Sequence, residues 1–425
     1  MSGTMLAVML VLFAASIPVA IAIGLAAIVG IQGFTSFPLI VAAQQLFVAL
    51  DRFPLAAIPF FILAGNLMEI GGISRRLVDF AKSIVGGIQG GLPATCVVTC
   101  MIFAAISGSS VATTFAIGAI MIPALVRAGY PVGFAAALQA TAAELGVVIP
   151  PSIPMILYGV TTQTSIPELF IAGFGPGVLI AGGLVATVLV WCRIKGWGLH
   201  DGEGRLPFLR ATREAGWALL MPVVVLGGIY GGITTPTEAS VIAVAYAILV
   251  GMFVHREIRP ADLFPIFRKS VISSAVILFI IACAALFSWL LNRQGVPDQM
   301  AAWLTTSFES AGLYLFAVNI ALFFIGMFIE TSASIIVLAP ILQEAAQRLG
   351  VDGVHFGTIM VVNLAMGMIT PPFGVNLFAA AQVAGTSIDT MMRYLGVFIG
   401  VILACLLVIT YVPWITLALP HLVFR

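Results

Sequence analysis

Only 8% of the 425 residues are charged while 61% are hydrophobic, and a mean hydropathy of +1.17 excludes a water-soluble globular domain. A formal net charge of +1 gives no basic excess for nucleic acid. Apolar runs of about 17–25 residues between short polar breaks predict an all-α polytopic membrane protein, because each run can cross a hydrocarbon core about 30 Å thick.

In chain order, residues 5–70 hold three apolar segments, interrupted near 30–37 and at Asp51-Arg52-Phe53-Pro54. The first lacks a basic n-region and a small-residue cleavage site, so it is expected to remain as a span rather than act as a signal peptide. Residues 71–87 carry Arg75, Arg76, Asp79 and Lys82 and are too charged to span; they predict an amphipathic arm lying in the interface. Residues 92–126 are apolar but broken in mid-run by Ser107-Gly108-Ser109-Ser110, which predicts a re-entrant hairpin. A broken helix over 131–163 and a plain span over 168–192 follow. The polar stretch 193–214 is the predicted linker between halves. The second half repeats the plan, with spans over 215–292, an arm over 295–309 and a hairpin over 312–346 whose polar break is Glu330-Thr331-Ser332-Ala333-Ser334. A broken helix over 355–385 and a span over 394–419 complete it.

The two broken helices share a Gly-x-x-x-Pro-Pro pattern. Gly146, Pro150 and Pro151 precede Gly367, Pro371 and Pro372 by 221 residues, and the same offset carries Arg127 onto Arg348 and Gly129 onto Gly350. Each proline lacks an N–H and clashes with the preceding turn, freeing backbone carbonyls. In hydrocarbon such groups persist only when buried in protein or facing a wet cavity. One such break reads equally as a plain proline kink. Two in corresponding positions of two halves point to the binding site of a secondary transporter.

The basic residues set the expected orientation. With 193–214 cytoplasmic, Arg75, Arg76, Lys82, Arg127, Arg193, Lys195, Arg205, Arg210, Arg213, Arg256, Arg259, Arg268, Lys269 and Arg393 fall on that side. That is 14 of the 18 Lys and Arg, leaving Arg52, Arg293, Arg348 and Arg425 outside. Both termini are then outside, and the second half, with about five crossings and a hairpin like the first, is inverted relative to it. The arms agree: the first carries Arg75, Arg76 and Lys82, the second Asp298 and Glu309 with no cation.

Candidate chemistry lies in the breaks. Hard cations such as sodium need several oxygen ligands, and unwound backbone beside hydroxyls supplies them. Ser107, Gly108, Ser109, Ser110, Gly146, Val148 and Pro150 form one expected sodium site; Thr331, Ser332, Ser334, Gly367, Thr370 and Pro371 form the other. The helix after each tip points its N–H groups at the centre, where an anionic substrate group is favoured. Ser110, Thr113, Ser152, Thr331 and Asn376 are the expected substrate contacts, with Gln139 a further amide and Thr114 a further hydroxyl. The alternative is that serines and glycines there only let helices pack closely. Glu144 and Glu330 lie within spans, each as a proton carrier or as an anchor for unwound backbone. Thr237 is expected to cap the helix after Pro236, with Glu238 favouring its N-terminus, both structural. The five cysteines suit packing. The four histidines, at loops or span ends, suit surface or interface roles, and tryptophans such as Trp191, Trp197 and Trp217 suit an interfacial belt. No metal-ligand spacing, Ser/His pair or paired carboxylates suggest an intramembrane enzyme, and two non-identical inverted halves favour alternating access over a channel.

Gly232-Ile233-Thr234-Thr235-Pro236-Thr237-Glu238-Ala239-Ser240, the Ser107–Ser110 tip, the double-proline stretch from Gly146, and Thr370-Pro371-Pro372-Phe373-Gly374-Val375-Asn376-Leu377 together resemble the large membrane subunit of tripartite ATP-independent periplasmic (TRAP) transporters. The resemblance covers essentially the whole chain and is nearest the C4-dicarboxylate branch. It departs at Glu330, where many members carry an Asp. It implies a sodium-driven, elevator-type importer of the bacterial inner membrane for C4-dicarboxylates, sialic acid or other sugar acids. It also implies a small four-helix membrane subunit and a soluble periplasmic binding protein as partners.

Overall fold

The computed structural model describes the whole chain except Ser16, residues 200–205, Glu309, Phe373 and Arg425, together with the side chain of Thr305. The placements expected for Arg205, Glu309 and Arg425 fall outside the described residues. Among those described, all regular structure is helical. Eight helices are long and apolar enough to cross a membrane; Val132–Val148 with Ile153–Thr162, bent by 40°, makes a ninth candidate. Helix is the form that satisfies every backbone group within its own segment, as hydrocarbon demands.

The N-terminal region holds four helices, Ser2–Ala14, Val19–Phe34, Ile40–Leu50 and Ala57–Ile70, rather than the three segments expected. Pro18 interrupts the first run, since it has no N–H to continue a helix. The first arm is Ile73–Val85, and the first hairpin pairs Gly91–Ser107 with Ser110–Arg127. Gly108 turns the tip at φ +63°, a conformation that costs other residues a Cβ clash. The first broken helix runs as Val132–Ala143, Leu145–Val148 and Ile153–Thr162.

The plain span expected over 168–192 is instead two helices, Ile166–Ala172 and Phe174–Lys195, meeting at Gly173. Helix also enters both ends of the expected linker, since the next element, Phe208–Tyr230, starts before 215. Pro236–Leu249 follows, then Pro260–Arg293. The second arm is Val296–Ser307, and the second hairpin pairs Ala311–Phe328 with Thr331–Arg348. Gly353–Gly367 and Val375–Ala384 form the second broken helix. The last span, Ile388–Tyr411, stops ahead of Pro413, and Trp414–Phe424 follows it. Helices Ser110–Arg127 and Thr331–Arg348 differ by 221 at both bounds.

Pro260–Arg293 packs both on the N-terminal helices and on the hairpin helix Thr331–Arg348. Pro260–Arg293 lies against Val19–Phe34, Ile40–Leu50 and Ala57–Ile70, and Pro236–Leu249 lies against Ala57–Ile70. Elsewhere the halves exchange partners. Val375–Ala384 rests on Ser110–Arg127 and Val132–Ala143, whereas Ile153–Thr162 rests on Thr331–Arg348. Phe134, fully buried, meets Tyr130, Trp191, Trp197, Tyr394 and Phe398 with ring centroids 5.4–5.9 Å away. Trp191 and Trp197, each half-buried, pack onto this aromatic cluster. Trp217 is exposed.

Two local expectations are corrected. The cap after the Gly232–Thr234 turn is Thr235, whose hydroxyl accepts from the Glu238 N–H at 3.3 Å while Glu238 Oε2 accepts from the Thr235 N–H at 2.8 Å. Thr237 instead donates to the Phe53 carbonyl at 3.2 Å. His355 is not at a surface. It is buried, with Nδ1 2.7 Å from Thr416 Oγ1 and Nε2 3.2 Å from the Thr410 carbonyl.

Candidate functional site

At the first hairpin tip, three oxygens converge. Thr113 Oγ1 lies 3.0 Å from Ser107 Oγ and donates to the Ser109 carbonyl at 2.8 Å. The broken helix enters this cluster through Gly146: a Cβ there would stand 2.7 Å from both the Ser109 carbonyl oxygen and Thr113 Oγ1. Only a glycine lets the backbone come this close. Opposite the tip, the Pro151 carbonyl oxygen would meet a Cβ on Gly108 at 2.7 Å, and the Gly108 carbonyl accepts from Ile153 N at 3.5 Å. The peptides Pro150–Pro151 and Pro371–Pro372 are both cis.

Several expected ligands point elsewhere. The Val148 carbonyl abuts Gly173, on the far side of the broken helix. The proline carbonyl facing the tip is that of Pro151 rather than Pro150. Ser152 is occupied by its own turn, donating to the Val147 carbonyl at 2.5 Å and accepting from Met155 N at 3.4 Å. Gln139 is a tie rather than a free amide: it donates to the Thr113 carbonyl at 3.2 Å and faces Cys96 Sγ at 3.1 Å.

A second group forms where the halves meet. Asn376 donates its amide to Glu144 Oε1, and Thr114 Oγ1 lies 3.4 Å from Asn376 Oδ1. Ser110 Oγ faces Met368 Sδ at 4.0 Å, beside the second break. Glu144 therefore anchors a side chain of the opposite half, not the unwound backbone of its own. Its Oε2 is buried with no hydrogen-bond partner among the described residues.

The second tip is built differently. Glu330 caps its own helix: Oε2 accepts from Ser332 N at 2.9 Å and Ala333 N at 3.2 Å, and Oε1 accepts from Ser332 Oγ at 2.9 Å. This N-terminus is therefore filled by a carboxyl group of the chain itself, which corrects its expected role as an open anion site. Beside it, Thr331 Oγ1 and Ser334 Oγ are buried without partners among the described residues. Gly367 contacts Gly326 backbone to backbone, so a side chain at either position has no room. Thr370 turns back to the Met366 carbonyl at 2.9 Å, and Pro371 is half-buried. The substrate residues expected from sequence thus divide into four places: Ser110 with Asn376, Thr113 at the first tip, Ser152 in its own turn, and Thr331 at the second tip.

One feature was missed. Asn363 donates to the Asn319 carbonyl at 2.9 Å and Oδ1 at 2.7 Å, and Asn319 donates to Thr410 Oγ1 at 2.9 Å. With His355 and Thr416 this makes a polar ladder through the second half. Two asparagines inside apolar runs were its visible signal.

Residues 6–415 match the family model described as tripartite ATP-independent periplasmic transporter, DctM component. The chain is 43% identical over 398 residues to the isethionate TRAP transporter permease protein DctMQ of Oleidesulfovibrio alaskensis, covering 93% of the chain but only 63% of that longer protein. It is 42% identical to the C4-dicarboxylate TRAP transporter large permease protein DctM of Pseudomonas aeruginosa, over 89% of each chain. The Rhodobacter capsulatus protein of the same name is 39% identical over 99% of this chain and 98% of its own. Among solved structures, the fold is shared with the Alcanivorax borkumensis YdaH transporter at a TM-score of 0.65 and 15% identity, over 90% of this chain and 89% of that one. The chain therefore belongs to the DctM component family of tripartite ATP-independent periplasmic transporters and is a membrane permease, not an enzyme.

Proposed function

We propose that this permease imports a carboxylate-bearing organic acid across the bacterial inner membrane by sodium symport, working with a small membrane subunit and a periplasmic binding protein. Relatives named for C4-dicarboxylates, sialic acid and 2,3-diketo-L-gulonate support a carboxylate, and the one named for isethionate, a sulfonate, shares the anionic character. The observation that carries the sodium reading is the oxygen cluster of Ser107, Ser109 and Thr113 pressed against Gly146, an uncharged cradle for a hard cation. The partnerless hydroxyls of Thr331 and Ser334 beside the Glu330 carboxyl support a second sodium site.

The packing of Pro236–Leu249 and Pro260–Arg293 on the N-terminal helices supports a scaffold of residues 5–70 and 215–292, against which hairpins and broken helices would move as an elevator. Two inverted repeats, 1–192 and 215–425, agree with the 221-residue offset of the hairpin helices and with the opposite charge of the two arms. This orientation puts both termini in the periplasm.

Uptake of radiolabelled organic acids into proteoliposomes, with the small subunit present, tests the reading. Uptake that requires both an inward sodium gradient and the binding protein upholds it. Uptake indifferent to the binding protein makes the chain a stand-alone symporter, and a non-saturating current makes it a channel.

A further inference from the structure

Of the basic residues that the proposed orientation leaves outside, the three described ones differ in what engages them. Arg348 pairs with Asp298 at 3.1 Å and with Glu344 at 2.5 Å, and Arg293 lies over the rings of Phe37 and Trp289, each centroid 5.6 Å away. Arg52 has no such partner. It makes no ion pair among the described residues, its sequence neighbour Asp51 included, and it lines a cavity of about 250 Å3.

The walls of this cavity come both from the proposed scaffold and from the elements proposed to move. Arg52, Ser288 and Asn292 belong to the first, and Thr161, Gln163 and Ile336 to the second. Ser288 Oγ ties the two together by donating to the Ile336 carbonyl at 3.3 Å. Ile336 stands five residues beyond Thr331, about 7–8 Å along their helix, so the cavity leads from Arg52 towards the second tip. Gln163 adds an independent sign: its φ is +59°, a conformation that costs a residue with a side chain, and Gln343 Nε2 holds the adjoining Thr164 Oγ1 at 3.2 Å. Strain kept in place by its surroundings clusters at ligand sites. An unpaired guanidinium beside neutral hydroxyls and amides is short of a counter-charge, and its planar fork matches a carboxylate.

We propose that this cavity is an entry site for the transported acid, in which Arg52 takes up an anionic group before the hairpin and broken helix carry the substrate inward. The inference rests on the transport reading and adds to it a scaffold residue that selects for anions.

A single thiol placed in the cavity tests it. Ala49 lines the cavity three residues before Arg52, and the five natural cysteines are buried, so in Ala49→Cys a maleimide is expected to alkylate that one position. Alkylation is timed in the purified full-length permease with its small subunit, in detergent, with succinate, sialic acid or isethionate added in turn. The acid that proteoliposomes accumulate is expected to slow it, and adding Arg52→Gln to raise the concentration needed roughly ten-fold. Arg52→Lys, which keeps the charge without the fork, should fall between. Equal protection in Arg52→Gln overturns the proposal. So does alkylation that the accumulated acid leaves unslowed, an arm that uses no Arg52 variant and stands even if those variants misfold. Slowing by the substrate-free binding protein, and by none of the acids, makes Arg52 a docking residue and overturns the entry site. If proteoliposomes accumulate no acid, the transport reading fails and the entry site with it, whereas accumulation without protection sinks the entry site alone.

Discussion

Asn376 reaches across 232 positions of sequence to donate its amide to Glu144, and both side chains are shut away from solvent. This contact joins the two broken helices. Glu144→Gln keeps an acceptor opposite the amide and is expected to preserve both fold and sodium-driven uptake. Asn376→Leu leaves a buried carboxyl without its donor and should cost about 1–3 kcal/mol. Melting and uptake measured in parallel decide; loss of a pH dependence in Glu144→Gln, with uptake retained, would instead make Glu144 a proton carrier.

Gly146→Ala should act on sodium. Its Cβ would press on the Ser109 carbonyl oxygen and Thr113 Oγ1, with about 1–3 kcal/mol of overpacking at the cradle, enough for a roughly ten-fold rise in half-saturating sodium. Gly400→Ala, a helical site with open space around it, serves as the control and should leave uptake unaltered.

At Thr331 stability and function should separate. Its hydroxyl is buried and unpartnered, so Thr331→Val removes a desolvated polar group and should leave Tm equal or higher. Half-saturating sodium or substrate should rise in the same variant. A lower Tm with unaltered uptake would make the second tip a packing element.

Cysteine accessibility tests the orientation. Arg210, whose side chain is largely exposed, should be labelled as Arg210→Cys only from the cytoplasm, and Arg52→Cys only from outside. The reverse pattern would invert the assignment.

Burial pushes the His255 imidazole below its usual 6.5, and Nδ1 lies 3.0 Å from the Gly71 carbonyl. The folded chain favours the neutral ring, so the unfolded chain takes up the proton first as pH falls. The stability this contributes is complete above pH 6.5 and is lost below it. Tm followed down through that pH should fall, and fall less in His255→Asn.

The breaks were legible because their chemistry is local. Two prolines without N–H groups, or a Ser-Gly-Ser-Ser run, interrupt a helix whatever packs around them. What stayed hidden was the address of each group. Nothing near Asn376 in sequence announces Glu144, and nothing near Ser110 announces Met368. Thr237, the expected cap, gives its hydroxyl to the Phe53 carbonyl 184 positions away, and Thr235 caps the helix instead. Glu330 filled its own helix end because a carboxyl two residues ahead of free N–H groups can fold back onto them.

The ladder from Asn363 through Asn319 and Thr410 to His355 and Thr416 bears on biogenesis. Helices Ala311–Phe328 and Gly353–Gly367 are synthesised before Ile388–Tyr411 and Trp414–Phe424. Until Thr410 and Thr416 arrive, Asn319 and His355 wait in lipid with polar atoms exposed to hydrocarbon. The ladder is complete only once translation reaches those threonines.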